Sequence, residues 1–564
     1  MRIHLFVVVL LLAQTAGAQT PQWSQAMDSV SLFSSPVAVD LNQDGVRDIV
    51  VGGGIEGLPT RTAVMALDGS TGQRLWQLPA PDQIFGTALT RDINGDQVAD
   101  IFIGGRSALF WAVDGATGNK IWEFWPDSLG PPSAAGWLQF YNAQWVPDLD
   151  QDGVPDLLTA NGGDRFALPY DSLRPPGSLV LLSGRTGQLI ARDTVPDGHE
   201  TYFSPLLLDV DGAGDPWVIF GTGGETVRGR LWAIPLSDLR SGDISGASPL
   251  LDDSLKGMIA SPSLADLDQD GVLDLVVPEL NGRLTALGGD GFVPLWSREF
   301  PGYEMYTAPT VGQFTGDATP DVFVIAARGQ WSFYSQYLQI LVDGATGQIA
   351  WTDTATHYQF SQVNAADRDG DGWDEVLIVE NRDIGFFTLQ YRNQLQWIDF
   401  NDNQISDVGL LRNGLNIFST PALVDLDGDQ SAELVLGYHP QTANWAGMTD
   451  AVIERLNLGI PVERVAWPGY MGRDRDGVYH PAGFVAAEPG KTPPPVQVYP
   501  NPVADRLWVR GRVPRATRLI DGQGRVVRES ARRADLVVRG LAAGLYVLEV
   551  ERAGETVRTK VIVE

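Results

Sequence analysis

The 564 residues include 63 glycines, 36 prolines and no cysteine, and 70 acids against 40 bases give a formal charge of −30. This composition excludes disulfides, thiolate zinc sites, iron–sulfur clusters and thiol catalysis, and so acidic a chain should repel nucleic acid and anionic membranes. A hydrophobic content of 44% supports a large core, and abundant glycine with 20% charged residues favours short strands and turns over long helices.

Met1-Arg2-Ile3-His4 is a short basic start, followed by an apolar run over 5–12 and by small residues at Ala16-Gly17-Ala18. This reads as a secretory signal peptide, residues 1–18, cut before Gln19. The apolar run is too short to span a bilayer, and no other segment approaches transmembrane length. An exported chain without disulfides needs another source of stability, and bound metal is one.

From Asp40 onward the chain repeats. An acidic nonapeptide begins at Asp40, Asp92, Asp148, Asp209, Asp266, Gln313, Asp367 and Asp425, at intervals of 47 to 61 residues. In the first unit, Ser35-Pro36-Val37-Ala38-Val39 alternates like a strand and leads into the loop 40–48. Ile49-Val50-Val51-Gly52-Gly53 reads as a buried strand, and Ala63-Val64-Met65-Ala66-Leu67 as a third. Asp68-Gly69-Ser70-Thr71-Gly72 supplies a tight turn before Arg74-Leu75-Trp76-Gln77. The turn-then-Trp unit returns at 114–118 before Trp122 and at 343–347 before Trp351, and 183–187 is a variant without the Trp. Nothing in the repeat carries a sustained helical period. Four antiparallel strands repeated about eight times fit a β-propeller of eight blades, with seven as the alternative. Gln22-Trp23-Ser24-Gln25 resembles a fourth strand without a blade of its own, which would pair with the last blade and close the ring.

The repeat body is assigned to 19–487, and the Pro-rich stretch 488–495 reads as a stiff linker. From 496 to 564 the balance changes sign, to 13 bases against 8 acids. Alternation such as Leu545-Tyr546-Val547-Leu548-Glu549-Val550 predicts a small Ig-like β-sandwich.

The loops carry the chemistry. Asp148, Asp150, Asp152 and Asp156 place carboxylates at positions 1, 3, 5 and 9, with Gly153 at 6. Acids at alternate positions of a curling loop converge, and calcium takes six to eight oxygens. Position 7 can add its carbonyl, and position 9 can close the site in bidentate fashion. Asp266, Asp268, Asp270 and Asp274 are equally complete, as are Asp367, Asp369, Asp371 and Glu375. Asp40, Asn42, Asp44 and Asp48 use Asn at position 3. Asp92, Asn94, Asp96 and Asp100, and Asp425, Asp427, Asp429 and Glu433, keep the ligands but carry Gln97 and Gln430 at position 6. Gln resists the turn that Gly permits, so weaker binding is expected there. Two copies look lost: Asp209-Asp211-Ala213 ends in Trp217, and Gln313-Thr315-Asp317-Asp321 lacks two charges. About six structural calcium ions are expected.

These loops resemble the FG-GAP/VCBS calcium repeats, most closely at 261–271. The resemblance spans roughly 21–485 and implies a calcium-pinned propeller. The 114–118 and 343–347 turns with their Trp also resemble quinoprotein-type repeats. The tail resembles the type A sorting domain of the type IX secretion system of Bacteroidetes, through Tyr499-Pro500-Asn501-Pro502, the 521–527 and 540–546 segments, and the terminal Lys560-Val561. That resemblance implies export through the periplasm and outer membrane, with type IX machinery as partner and a secreted or cell-surface destination.

The leading functional expectation is a monomeric, non-catalytic module that binds a glycan, a protein or another cell through a broad propeller face. A polysaccharide lyase or other carbohydrate-active enzyme on a calcium propeller is the alternative. It would need a base, and His199, His357 and His439 are each better explained as ordinary loop or strand residues. A quinoprotein-like dehydrogenase is the third reading. The Trp residues recur in register, however, which favours blade-to-blade packing over a cofactor site. There is no nucleophile elbow, zinc-protease helix motif or phosphate loop.

Overall fold

The computed structural model describes residues 20–482, apart from 127–135, 165–166, 168–170, 172, 211–213, 331–332, 356–357, 386–389 and 441–447. In the tail it describes 498–499, 506–509, 516–520, 525–531, 535–552 and 555–563. The expected signal peptide and linker fall outside these residues, as do Asp211, Ala213 and His357.

Each repeat becomes one antiparallel sheet whose strands neighbour each other in chain order. Sheet 1 runs Val37–Val39, Asp48–Gly52, Thr60–Leu67 and Arg74–Ala80. Sheets 2 to 8 begin at Leu89, Gln139, Leu206, Ser263, Tyr303, Asn364 and Ala422. The middle strands read as apolar runs because they are covered on both faces: Asp48–Gly52, Phe110–Val113 and Ser178–Leu182 are buried throughout. The outermost strands alternate instead, as in Lys120–Phe124.

Neighbouring sheets share apolar cores at every seam. Val50 and Ala66 of sheet 1 pack with Ile101 and Trp111 of sheet 2, and Leu377 of sheet 7 with Leu434 of sheet 8. The last seam joins sheet 8 to sheet 1, through Val435 and Ile453 against Ile49 and Met65. The ring is closed by the strand foreseen at the N-terminus. Trp23–Asp28 pairs antiparallel with Asp450–Pro461 of sheet 8, Trp23 opposite Arg455. This strand completes sheet 8 and leaves only a short outer edge.

The first strands of neighbouring sheets lie against one another around the axis. Residues 465–482 fill that axis. Val465–Trp467 adds a fifth strand to sheet 7 beside Asn364–Ala366. Beyond it, Leu423 N donates to Pro468 O at 2.7 Å and Asn142 Nδ2 to Tyr470 OH at 2.8 Å. Met471 N donates to Gln362 Oε1 at 2.9 Å, and Leu264 N to Gly477 O at 2.8 Å. One segment thus ties sheets 3, 5, 7 and 8 together across the centre.

Two departures from strict repetition matter. Sheet 4 has a helix, Leu236–Ser241, where sheets 1, 2, 3, 5 and 6 have a Gly-containing turn. The expectation of no helix fails there because Leu236 and Leu239 are buried against the strand Leu189–Thr194 of sheet 3. Second, the second strands of sheets 6 and 7, Asp321–Gln330 and Glu375–Asp383, have 10 and 9 residues against 5 in sheet 1. All three begin at loop position 9, so the extra length projects from the face opposite the Asp loops. Four or five more residues add about 13–17 Å. The tail forms one sheet of three strands and one of four around Leu507, Leu519, Leu548 and Val561.

The Asp loops and the aromatic collar

Position 9 is the anchor of each loop. Asp48 is fully buried; its Oδ2 accepts N–H bonds from Leu41 at 2.9 Å and Asn42 at 3.2 Å, and its Oδ1 accepts one from Gly69 at 2.9 Å. The pattern returns at Asp100 with Gly115, Asp156 with Gly184, Asp274 with Gly289 and Asp321 with Gly344, at 2.9–3.3 Å. Burial pushes Asp48, Asp100, Asp274 and Asp321 up to about 6, against the lowering pull of these backbone donors. Glu375 is raised by burial to about 8. Asp321 belongs to the loop that has lost two charges, yet keeps the same bonds. The position-9 acid therefore has a structural task that does not depend on a metal.

The acids and Asn at positions 1, 3 and 5 form the rim. Asp40 Oδ1 and Oδ2 accept from Gln43 N and Gly45 N, Asn42 Oδ1 from Asp44 N, and Asp44 Oδ1 from Val46 N. Carboxylate oxygens of Asp148, Asp150 and Asp156, of Asp266, Asp268 and Asp274, and of Asp367, Asp369 and Asp371 lie within 4.8 Å of one another. Asp369 and Glu375 also meet Asp399, which the sequence pattern did not include. Asp266 Oδ1 is shielded from solvent and has no hydrogen-bond donor. This all-oxygen donor set with an orphaned buried carboxylate oxygen fits a hard divalent cation.

The premise that Gln97 and Gln430 resist the turn is corrected. Both take the left-handed turn, at φ 72° and 68°. Position 4 is left-handed as well, and these two loops carry Gly95 and Gly428 there, at φ 85° and 78°. The loops at 40, 148 and 266 reverse the arrangement, with Gln43, Gln151 and Gln269 at position 4, at φ 60–64°. One Gly and one Gln are shared between two left-handed positions, so position 6 alone does not rank the loops.

The Trp residues pack from sheet to sheet. Trp23 Nε1 donates to Gly69 O at 2.8 Å, Trp76 to Gly115 O at 2.7 Å, Trp122 to Gly184 O at 3.0 Å and Trp296 to Gly344 O at 2.7 Å. A Cβ on Gly72 would lie 2.6 Å from the Trp23 ring, so the turn needs Gly both for its φ of 71° and for this approach.

Two features escaped the sequence reading. Seven residues before each loop stand Phe33, Phe85, Tyr141, Tyr202, Ile259, Tyr306, Phe360 and Phe418, seven aromatics in eight repeats. They precede the first strands and so ring the axis on the face opposite the loops. Ring centroids of Phe33–Phe418, Phe418–Phe360 and Phe360–Tyr306 are 5.2–5.5 Å apart, and Phe85–Tyr141–Tyr202 continue the collar at 5.5 and 6.0 Å. Tyr334, Tyr337 and Tyr358 cluster beside it on Phe360. Charged side chains sit among the rings. Arg106 pairs with Glu56 at 3.1 Å, Arg174 approaches Glu200 at 3.7 Å, and Lys256 pairs with Glu304, which also accepts from Tyr306 OH at 3.0 Å. Burial raises Glu200 and Glu225 and lowers Lys256. Glu200 is wholly buried, and its Oε1 has no donor. A fixed spacing of aromatics to the loops was the signal that could have revealed the collar.

The other feature is a ninth loop, residues 472–480, inside the axial segment. Arg475 and Gly477 occupy its left-handed positions 4 and 6 at φ 61° and 79°, and Val478 N bonds Asp476 Oδ1 at 3.0 Å, as in the other loops. Asp474, Asp476 and His480 group together, and His480 Nε2 lies 3.5 Å from Asp474. Of the three histidines weighed as bases, His439 is buried between the Leu32 and Asp450 carbonyls, His199 lies 3.3 Å from Asp197, and His357 is outside the described residues.

A closed ring of four- and five-stranded antiparallel sheets around an axis is a β-propeller. Residues 54–366 match the FAM234A/B β-propeller model, and the chain belongs to that family. Residues 497–564 match the secretion system C-terminal sorting domain, which points to secretion and surface export. Among described residues no helix is long and apolar enough to cross a membrane. Protein FAM234B of Mus musculus is 26% identical over 344 residues, covering 56% of this chain and 51% of that protein. Protein FAM234A of Bos taurus is 26% identical over 311 residues, covering 52% and 50%. The chain thus spans about half the length of the curated relatives it matches. Among solved structures, the exotype rhamnogalacturonan lyase YesX aligns at 15% identity and TM-score 0.49, covering 86% of this chain and 82% of that one. BamB from Moraxella catarrhalis aligns at 14% and 0.41, covering 77% and 99%.

Proposed function

We propose that the protein is an eight-bladed propeller, exported by type IX secretion through an Ig-like C-terminal sandwich, that works as a non-catalytic recognition module. The blades are the eight sheets, the loops are structural calcium sites of FG-GAP/VCBS type, and the recognition surface is the opposite face. The observation that carries this reading is the aromatic collar with its wall of lengthened strands in sheets 6 and 7. Repeat packing alone does not require either. Tyrosine faces beside paired acids and bases suit a polyhydroxylated ligand such as a glycan, through stacking and directed hydrogen bonds.

A carbohydrate-active enzyme is the second reading, favoured by Lys256, whose burial makes it a better base beside Glu304, Tyr306 and Tyr334. Glycan-array binding and a lyase assay on uronate polymers, run on wild type and Tyr306→Ala, separate the two. Binding lost in the variant, without polymer cleavage by wild type, supports recognition; cleavage abolished by Lys256→Met supports the enzyme. Neither binding nor cleavage would sink both.

A further inference from the structure

On the loop face, between sheets 8 and 1 and the axial segment, lies a cavity of about 160 Å³. Its walls are unusual for so acidic a chain. Arg473 and Arg475 line it from the axial segment, and exposed Arg47 lines its rim. Val37, Leu423 and Val465 give it an apolar side.

Two arginines withdrawn from solvent elsewhere are paired. Arg412 bonds Glu454 at 2.6 Å, and Arg455 lies 3.4 Å from Glu433. Arg475 differs. Among the described residues, no acceptor and no carboxylate within ion-pair distance meets its guanidinium, and its Nε is shielded from solvent. Arg473 Nε is likewise shielded and unbonded, and its Nη2 donates only to Val465 O, at 2.8 Å. Asp425 also lines the cavity, but its two oxygens take the Gly428 and Gln430 N–H groups, at 2.8 and 3.0 Å. Asp474 and Asp476 influence Arg475 through space without pairing with it. A guanidinium withdrawn from water without a hydrogen-bonded partner costs stability, so two arginines lining one cavity favour a ligand that pairs with them. A guanidinium fork matches the two oxygens of a carboxylate or phosphate.

We propose that this cavity binds a small oxyanion, the carboxylate or phosphate group of an organic molecule, held by Arg475 and Arg473 with its apolar portion against Val37 and Val465. A water occupies about 30 Å³ of liquid, so the space admits a molecule of several heavy atoms. Arg47 at the rim would draw the anion in against the repulsion of the surrounding acids.

The test is calorimetric titration of the mature protein in calcium-containing buffer at fixed ionic strength, with butyrate and with sulfate against a chloride control. Saturable binding is expected, weakened at least about tenfold in Arg475→Gln, as for loss of one charge-assisted bond. Tighter binding of butyrate identifies a carboxylate ligand, and tighter binding of sulfate a phosphate-like one. No saturable heat with either anion, or equal affinity in Arg475→Gln, overturns the proposal. Arg475→Met gives an independent readout. Without added anion it should melt at or above wild type, because an unpaired charge has been removed. A lower melting temperature would make Arg475 an ordinary structural residue and also overturn the proposal.

Discussion

Sheets 1 and 4 start from the same repeat and close in different ways. In sheet 1, buried Asp48 holds the loop and the Gly69 turn together, and Trp23 of the neighbouring sheet bonds the Gly69 carbonyl. In sheet 4, Trp217 stands at position 9, and the helix Leu236–Ser241 replaces the turn. The facing strand of sheet 3 carries Ala191 where Trp76 and Trp122 stand in its counterparts, each opposite the equivalent residue of its sheet. Acid, turn and Trp are lost together. Once the helix occupies the seam, a Trp at 191 has no room and no glycine carbonyl to meet. Where all three parts are present they lock adjacent sheets, and the calcium site proposed for the loop is a separate layer.

The hardest blow to that lock is Trp23→Ala, at the seam where the N-terminal strand completes sheet 8. It removes a side chain 8% exposed and its bond to Gly69. A loss of about 3–5 kcal/mol is expected from chemical denaturation, and a loss under 1 kcal/mol would show that the ring does not depend on this lock.

Asp48→Ala and Asp321→Ala separate the lock from the metal. Each strands buried backbone donors, costing about 2–4 kcal/mol. Both losses should persist in EDTA, because Asp321 keeps its bonds in a loop short of ligands. Asp44→Ala, by contrast, should lower the melting temperature only when calcium is present, and EDTA should lower that of wild type. An EDTA-insensitive wild type would remove calcium from the account.

Much of this was legible in the residues. Period, strand order and the ring-closing strand follow from alternation and from Asp/Gly turns, which are local signals. The convergence of the loop acids was legible too, because their spacing is local. The second role of position 9 was not, since Asp48 meets Gly69 only after the sheet has folded. The ninth loop was missed because Gly472 and His480 replace its terminal acids, and the collar because single aromatics look like core.

A smaller effect concerns the closing seam alone. Burial lowers the pKa of His439 from 6.5, against the raising pull of the Asp450 and Leu32 carbonyls. The unfolded chain then takes up a proton more readily than the folded one, so the stability His439 contributes is complete above pH 6.5 and is lost as pH falls below it. The slope is about 1.4 kcal/mol per pH unit until the folded pKa is reached. His439→Gln should flatten the difference between melting curves at pH 7 and pH 5.5; an unchanged difference would place the acid sensitivity elsewhere.

The smallest effect tests how the loops divide their strain. Gln97 holds φ 72° beside Gly95 at 85°, so loop 92 contains one non-glycine in a left-handed position, as loop 40 does with Gln43 at 60°. Gln97→Gly relieves about 1 kcal/mol of backbone strain. It also gives the unfolded chain more freedom, which returns part of that gain. A net stabilisation of about 0.5 kcal/mol or less is expected, equal within error for Gln97→Gly and Gln43→Gly. If only Gln97→Gly stabilises, position 6 alone limits the turn and the reading of Gly and Gln as interchangeable between positions 4 and 6 fails. Equal effects would mean that the loop tolerates one strained residue wherever it falls, and that the loops at 92 and 425, with Gln at position 6, are as well formed as those with Gln at position 4.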